Sequence, residues 1–96
     1  MSKPESLRPN AVLKEIMERR KVGAAEVAKS LGVSRQHVYY LMDGRARFTP
    51  VMAVRFERAF GLRAEELLQL QLEQDLEEAR RAIDSRDEEE RRQPAD

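Results

Sequence analysis

Four side chains that lie close together in the chain are of types that read nucleic-acid bases. They are Arg35, Gln36, Tyr39 and Tyr40, and the stretch that contains them has no acidic residue. Glutamine can pair through two hydrogen bonds with the edge of adenine, and arginine can do so with guanine. A tyrosine can donate to phosphate or lie against a thymine methyl group. On one face of a helix, these residues would suit the major groove of double-stranded DNA.

A second set of polar and basic residues surrounds this stretch and consists of Ser34, His37, Arg45 and Arg47. Side chains of these types bind phosphate and fix the register of a protein on DNA without reading its sequence. Ser34 also suits the N-cap of a helix, because its hydroxyl can accept from a free amide of the first turn. We predict phosphate contacts from this set and base contacts from the first.

The residues around these positions favour two short helices joined by a turn. Val38 and Leu41 would face inward in a helix, since successive residues are about 100° apart. Ahead of them, Ala28 is small enough for two helices to cross and Gly32 permits a sharp turn. Residues 24–43 are therefore predicted to form a helix-turn-helix. The alternative is that the tyrosines only cover apolar surface and that the other polar residues are ordinary helix exterior.

The whole chain is predicted to be all-α. No segment alternates apolar and polar residues in a sustained way, so we expect no strand. Capping residues, prolines and glycines divide the 96 residues into five helices, which cover about residues 10–23, 23–32, 35–42, 50–61 and 63 onward. We divide the chain into a flexible N-terminus (1–8), a DNA-binding domain (9–76) and a charged C-terminal extension (77–96), which is partly helical or disordered.

The charge is distributed unevenly along the chain. Residues 1–48 carry a net charge of +5 and residues 49–96 carry −5, although the total is zero. A basic half is the electrostatic footprint of a nucleic-acid partner, and such asymmetry favours different roles for the two halves. In the extension, thirteen of the twenty residues from Glu77 to Asp96 are charged.

Composition argues against several classes of protein. The chain has no cysteine and a single histidine. Disulfides, thiol catalysis and cysteine-based zinc sites are therefore excluded. We expect no enzyme activity, no metal site and no cofactor. No run of about 18 apolar residues would span a membrane, and the first residues lack the apolar core of a secretory signal. The expected location is therefore the cytoplasm.

An apolar stripe in the last helix favours a homodimer. Apolar residues recur there every three or four positions, and two valines of the fourth helix lie off its main stripe. The predicted interface comprises Val51, Val54, Leu68, Leu72, Leu76 and Ile83. The alternative is that only Leu67 and Leu70 belong to the core and that the later residues fray. A dimer would bind two half-sites about 34–36 Å apart, which implies a palindromic operator.

Several short motifs together resemble a known family. They are Arg8-Pro9, Val12-Leu13, Glu26-Val27-Ala28, Leu31-Gly32-Val33-Ser34-Arg35-Gln36, Asp43-Gly44-Arg45, Thr49-Pro50-Val51-Met52-Ala53, Ala59-Phe60-Gly61 and Leu68-Gln69-Leu70-Gln71. With these motifs the chain, from about residue 8 to residue 74, resembles the antitoxins of the HigA type, a branch of the Cro/C1-repressor (XRE) superfamily. The resemblance implies a lambda-repressor-like fold of five helices.

The resemblance also implies a function. Antitoxins of this type are DNA-binding dimers that neutralise a small basic toxin, an mRNA endonuclease, and repress the operon that encodes both proteins. Arg35, Gln36 and Tyr40 match positions that contact bases in the family. Ser34, Arg45 and Arg47 fall on or beside positions that contact the DNA backbone.

Two other functions remain open from the sequence. One is a stand-alone XRE-type repressor that has no toxin. The other is a protein-interaction adaptor whose acidic last helix binds a basic partner. The adaptor has two supporting features, namely the zero net charge and Ala24, which stands where many members of the family have a phosphate-binding glutamine.

Overall fold

The computed structural model describes residues 8–92, and these residues form five α-helices without a strand. The helices are α1 (Pro9–Arg20), α2 (Ala24–Leu31), α3 (Arg35–Met42), α4 (Pro50–Phe60) and α5 (Ala64–Arg92). The predicted all-α fold of five helices is confirmed. The predicted flexible segment 1–8 lies outside the described residues except for Arg8, which is the N-cap of α1. Residues 93–96 of the predicted extension lie outside them as well.

The core lies where α1 to α4 meet the first turns of α5. Phe56 of α4 is fully buried at its centre and contacts two other rings. Its ring centroid lies 5.9 Å from that of Phe48 in an edge-to-face arrangement and 5.0 Å from that of Phe60. The buried residues of the core are Leu13, Met17, Val27, Ala28, Leu31, Val38, Leu41, Phe48, Met52, Ala53, Phe56, Phe60, Ala64 and Leu67.

The starts of α3 and α4 are capped by the hydroxyl residues that the sequence indicates. The Ser34 hydroxyl accepts a hydrogen bond from the amide of His37 at 3.1 Å, and the Thr49 hydroxyl accepts from the amide of Met52 at 3.1 Å. Pro50 then occupies the first turn of α4, where its missing N–H costs no helical bond. The predicted starts of both helices are therefore confirmed.

The first helix ends earlier than the sequence indicates. It stops at Arg20, and Lys21 adopts the left-handed conformation with φ 55°, so the predicted end near Gly23 is wrong. The amide of Val22 donates to the Met17 carbonyl at 3.0 Å, which is the bond expected after a left-handed helix cap. Val22 also packs against the core, and this contact fixes the chain in a turn that glycine would adopt more easily.

Gly32 makes the turn between α2 and α3. It closes α2 with φ 72°, a conformation that glycine adopts without steric cost. Arg55 of α4 lies against it, and its Nη1 donates to the carbonyl of Leu31 at 3.1 Å. A Cβ on Gly32 would lie 1.9 Å from that Nη1. The glycine therefore serves both the sharp turn and the close approach of the arginine that caps α2.

Two other helix ends are capped by side chains from neighbouring helices. Nη2 of Arg20 in α1 donates to the carbonyl of Phe60 at 2.8 Å, at the C-terminus of α4. Oε1 of Glu57 in α4 accepts from the amide of Ala64 at 3.0 Å, at the N-terminus of α5. Each contact satisfies a backbone group that has no partner within its own helix.

The last helix extends beyond the part of the domain that it packs against. Ala64 and Leu67 are buried, whereas every residue from Glu78 to Arg91 is exposed. The described residues are accordingly elongated, with extents of 58 × 26 × 22 Å. The helix is unbroken between residues 76 and 77, so its backbone does not mark the predicted boundary there. That boundary stays a prediction. None of the helices within residues 8–92 is both long and apolar enough to span a membrane.

Candidate nucleic-acid interface

The third helix turns one side to the core and the other to solvent. Val38 and Leu41 are buried, and their burial fixes the rotation of the helix. The predicted base-reading residues all lie on the exposed side: Arg35, Gln36, Tyr39 and Tyr40. Tyr39 is 49% exposed and Tyr40 is 39% exposed, which is a large accessible area for aromatic side chains. The structure therefore brings the four residues onto one accessible side of an eight-residue helix.

The start of this helix is formed by two residues of the predicted phosphate-binding set. Ser34 is exposed, and its hydroxyl oxygen accepts from the amide of His37. The hydroxyl proton is not used in that bond, so it can still be donated to a phosphate. His37 is half-buried at the edge of the exposed side. The described residues contain no cluster of three histidine or carboxylate side chains that would hold a metal ion.

The loop after α3 folds back onto the end of that helix. The carbonyl of Tyr40 accepts from the amides of Arg45 and Ala46, at 2.8 and 3.2 Å. Gly44 supports this reversal with φ 76°. The side chain of Arg45 is exposed, and its backbone amide is hydrogen-bonded to the last turn of α3, which contains Tyr40. The structure thus fixes the backbone of an exposed arginine at the C-terminal end of α3.

Arg47, the fourth predicted phosphate-binding residue, points to the last helix. Its Nε donates to Oδ1 of Asp75 at 2.8 Å, and its Nη2 lies 2.7 Å from the same oxygen and 3.4 Å from Oε2 of Glu78. The hydrogen bond to Asp75, and then the charge of Asp75, raise the pKa of the guanidinium. A phosphate contact from Arg47 stays a prediction.

The end of the same loop is held by a glutamine that the sequence analysis did not single out as a site residue. Oε1 of Gln71 accepts from the amide of Phe48 at 2.7 Å, and its Nε2 donates to the Phe48 carbonyl at 2.9 Å. The ring of Phe48 is buried against Phe56. Both the backbone and the ring of this residue are therefore fixed by α5 and α4.

A signal for these contacts is present in the sequence of α5. Gln71, Asp75 and Glu78 follow the buried Leu67 at intervals of three or four residues, so they continue the side of α5 that faces the domain. Polar residues at the end of an otherwise apolar stripe indicate that the helix meets a polar partner there. The identity of that partner is a tertiary property, and the spacing alone does not give it.

The predicted dimer residues lie largely on the surface. Most of them are exposed, to fractions of 61% for Val51, 38% for Val54, 50% for Leu72, 41% for Leu76 and 59% for Ile83. Leu68 is half-buried and packs against the core. The apolar stripe of α5 is therefore accessible over most of its length, as an interface requires. The structure holds one chain, so the role of these residues as a dimer interface stays a prediction.

Comparison with known families identifies the fold that carries this surface. A family of helix-turn-helix domains matches residues 11–70, which include α2, α3 and the loop that follows them. The chain belongs to the helix-turn-helix domain family. In helix-turn-helix domains the second helix of the motif enters the major groove of DNA, and here that helix is α3. The predicted resemblance is confirmed at this level.

Solved structures similar to this helix-turn-helix domain include two antidote proteins. One, from Nostoc punctiforme, is assigned as the antidote protein of a plasmid maintenance system, with 26% identity and a TM-score of 0.84 over 91% of this chain and 96% of that chain. An addiction module antidote protein of the HigA family from Coxiella burnetii has 27% identity and a TM-score of 0.72 over 92% and 96%.

A third similar structure is that of a hypothetical protein from E. coli, with 28% identity and a TM-score of 0.76 over 97% of this chain and 94% of that one. A search of curated proteins finds no significant match. The helix-turn-helix domain and the long α5 are therefore shared, over nearly their whole length, with structures that include antidote proteins.

Replacing Gln71 by alanine should loosen the loop between α3 and α4. Gln71→Ala removes two hydrogen bonds from the partly buried backbone of Phe48, so we expect the free energy of unfolding to fall by about 1–2 kcal/mol. Urea denaturation measures this change, and amide exchange at Phe48 should accelerate. The control is Gln69→Ala, which removes an exposed side chain of the same helix and should change stability by less than about 0.5 kcal/mol. Equal effects of the two substitutions would contradict the role given to Gln71.

Proposed function

We propose that the protein is a sequence-specific DNA-binding antitoxin. In this proposal it neutralises a small basic toxin of the mRNA endonuclease type and represses the operon that encodes the pair. The observation that carries the proposal is the similarity of nearly the whole chain, beyond the DNA-binding motif, to two antidote proteins. Membership in the helix-turn-helix family supports the DNA-binding half of the proposal.

Sequence recognition is assigned to the exposed side of α3. Arg35 and Gln36 lie in the first turn of the helix, where residues of a recognition helix meet base edges. Each has the geometry for two hydrogen bonds with one base, guanine for arginine and adenine for glutamine. Tyr39 and Tyr40 lie one turn further and would reach base edges, thymine methyl groups or the adjoining phosphates.

Phosphate binding is assigned to groups at both ends of α3. Ser34 and His37 lie at its N-terminal end, where free amides also attract an anion, and Arg45 lies beyond its C-terminal end. Arg47 adds a second cation in the same loop. Such contacts supply affinity that depends steeply on salt, because binding releases counterions from DNA.

Substitutions in α3 and in the loop should affect DNA binding in different ways. Gln36→Ala or Arg35→Ala should weaken binding to the preferred site by about 1–3 kcal/mol and relax base preference at one position. Arg45→Ala should weaken specific and random duplexes alike and reduce the salt slope by about one unit. Fluorescence anisotropy measures both effects, on a site selected from a random duplex pool.

The control for these substitutions is Arg63→Ala, which removes an exposed arginine just before α5, on the segment that follows α4. It should leave both affinities nearly unchanged. If all three substitutions reduced specific and random binding equally, the division between base-reading and phosphate-binding residues would be wrong. DNA binding that falls steeply with salt would exclude the adaptor function.

Dimer formation is assigned to the outer side of α5 together with Val51 and Val54. Leu72, Leu76 and Ile83 lie about 140–180° around the helix from the buried Leu67, so one side of α5 packs on its own domain and the other faces outward. A single exposed leucine is common, but a continuous stripe on a projecting helix is typical of an interface. Two copies joined along this stripe would present two α3 helices to a palindromic operator.

A charge placed in the stripe should separate the dimer. Ile83→Glu should convert the protein to a monomer, because pairing would bury an unpaired carboxylate. Sedimentation velocity measures the change, and circular dichroism confirms that α5 stays helical. The matched control, Ser85→Glu, adds the same charge on the other side of the helix and should leave the dimer intact. If the unsubstituted protein were itself a monomer at micromolar concentration, this assignment would fail.

The toxin half of the proposal is tested in the native host. A tagged copy expressed at its native level should co-purify in fixed ratio with a basic protein of about a hundred residues. Expression of that partner alone should arrest growth, and co-expression of this chain should restore it. Recovery of only this chain with bound DNA would contradict the antitoxin function and leave a stand-alone repressor.

A further inference from the structure

The last helix brings two carboxylates to the loop that follows the recognition helix. Asp75 and Glu78, one turn apart on α5, both lie against the guanidinium of Arg47. The three side chains are accessible to solvent, at 52% for Arg47, 36% for Asp75 and 51% for Glu78. They therefore form an ion cluster at the surface, on the side where the loop leaves the end of α3.

The position of the cluster matters for DNA binding. Arg47 is two residues from Arg45, and the backbone between them is bound to the carbonyl of Tyr40 at the end of α3. A cation in this loop is within reach of the phosphates next to a docked α3, provided that its guanidinium is available. In the structure, that guanidinium is bound to the carboxylates of α5 instead.

The carboxylates of α5 and a DNA phosphate should bind the guanidinium of Arg47 with similar free energies. An exposed ion pair contributes only about 0–1 kcal/mol to stability, so a phosphate can replace a carboxylate at small cost. A guanidinium has five N–H donors but only one positive charge. While Asp75 and Glu78 compensate this charge, Arg47 attracts a DNA phosphate less strongly. The hydrogen bond and the charge of Asp75 also raise the pKa of Arg47, because they stabilise the charged form of its guanidinium.

We propose that Asp75 and Glu78 set the DNA affinity of the protein by competing with DNA phosphate for Arg47. This inference rests on the proposed DNA-binding function and adds two affinity-determining residues that lie outside the DNA-binding motif. Gln71 makes the exchange local, because it holds the backbone of Phe48 while the neighbouring guanidinium changes its acceptor. The side chain of Arg47 moves and the loop stays in place.

The test replaces both carboxylates with uncharged amides of nearly the same size and shape. Asp75→Asn together with Glu78→Gln should strengthen binding to a random-sequence duplex about three- to tenfold near 100 mM NaCl. The slope of log affinity against log salt should steepen by about 0.9, the value for one more neutralised phosphate. Anisotropy titrations between about 50 and 200 mM NaCl measure both quantities.

The charge-matched control is Glu88→Gln with Glu89→Gln, which removes two exposed acids farther along the same helix. Glu88 lies ten residues beyond Glu78, about 15 Å along the axis, which exceeds the screening length of about 10 Å near 0.1 M salt. The control should therefore change affinity less than twofold. An equal gain from the control would overturn the proposal, because the effect would then come from net charge alone.

A second test isolates Arg47. In an Arg47→Ala background, the same two substitutions should change affinity less than twofold, as in the control, and should leave the salt slope unchanged. A gain that persisted without Arg47 would overturn the proposal, and so would a loss of affinity in the double variant, which would mean that the acids position Arg47 for DNA. If the unsubstituted protein bound no duplex at any salt, the proposed function itself would fail. Binding that is unchanged by loss of the acids contradicts this inference alone.

Discussion

The fold depends on tertiary packing, because the two helices of its helix-turn-helix are too short to be stable alone. Helices α2 and α3 have eight residues each, and isolated helices below about 12–15 residues are marginal in water. Their stability must come from their surroundings. α4 supplies much of it, since Phe56 fills the centre of the core and Arg55 caps the carbonyl end of α2. α3 itself packs against α2 and α1, so the direction of its exposed side depends on helices that carry none of the proposed base-reading residues.

The sequence predicts the features that depend on neighbouring residues. Ser34 and Thr49 cap the helices they precede, because a hydroxyl at that position bonds an amide three residues later. The inward direction of Val38 and Leu41 follows from helical periodicity, and with it the exposure of the other side of α3. Such predictions succeed because the physical cause lies within one or two turns of the chain.

The features that the sequence does not predict have causes that are distant or hidden. Lys21 adopts a left-handed conformation although it is not a glycine, because the packing of Val22 requires the turn. Arg47 pairs with Asp75 across 28 residues, and Gln71 holds Phe48 across 23. Residue type makes these partners plausible, but many acids and amides of the chain fit equally well. The choice between them is made by the path of α5 past the loop, which is a property of the packed domain.

The unbroken course of α5 has a consequence for the evolution of this chain. The helix is 29 residues long, and its first turns are fixed by the core. One residue gained or lost beyond Glu78 would rotate everything after it by about 100°, so the outer apolar stripe would no longer be in line. Seven residues would restore its direction to within about 20°. Relatives that use the distal half of this helix as a surface should therefore differ in its length by whole turns, such as about seven or eleven residues, whereas relatives with other lengths should have placed that surface elsewhere.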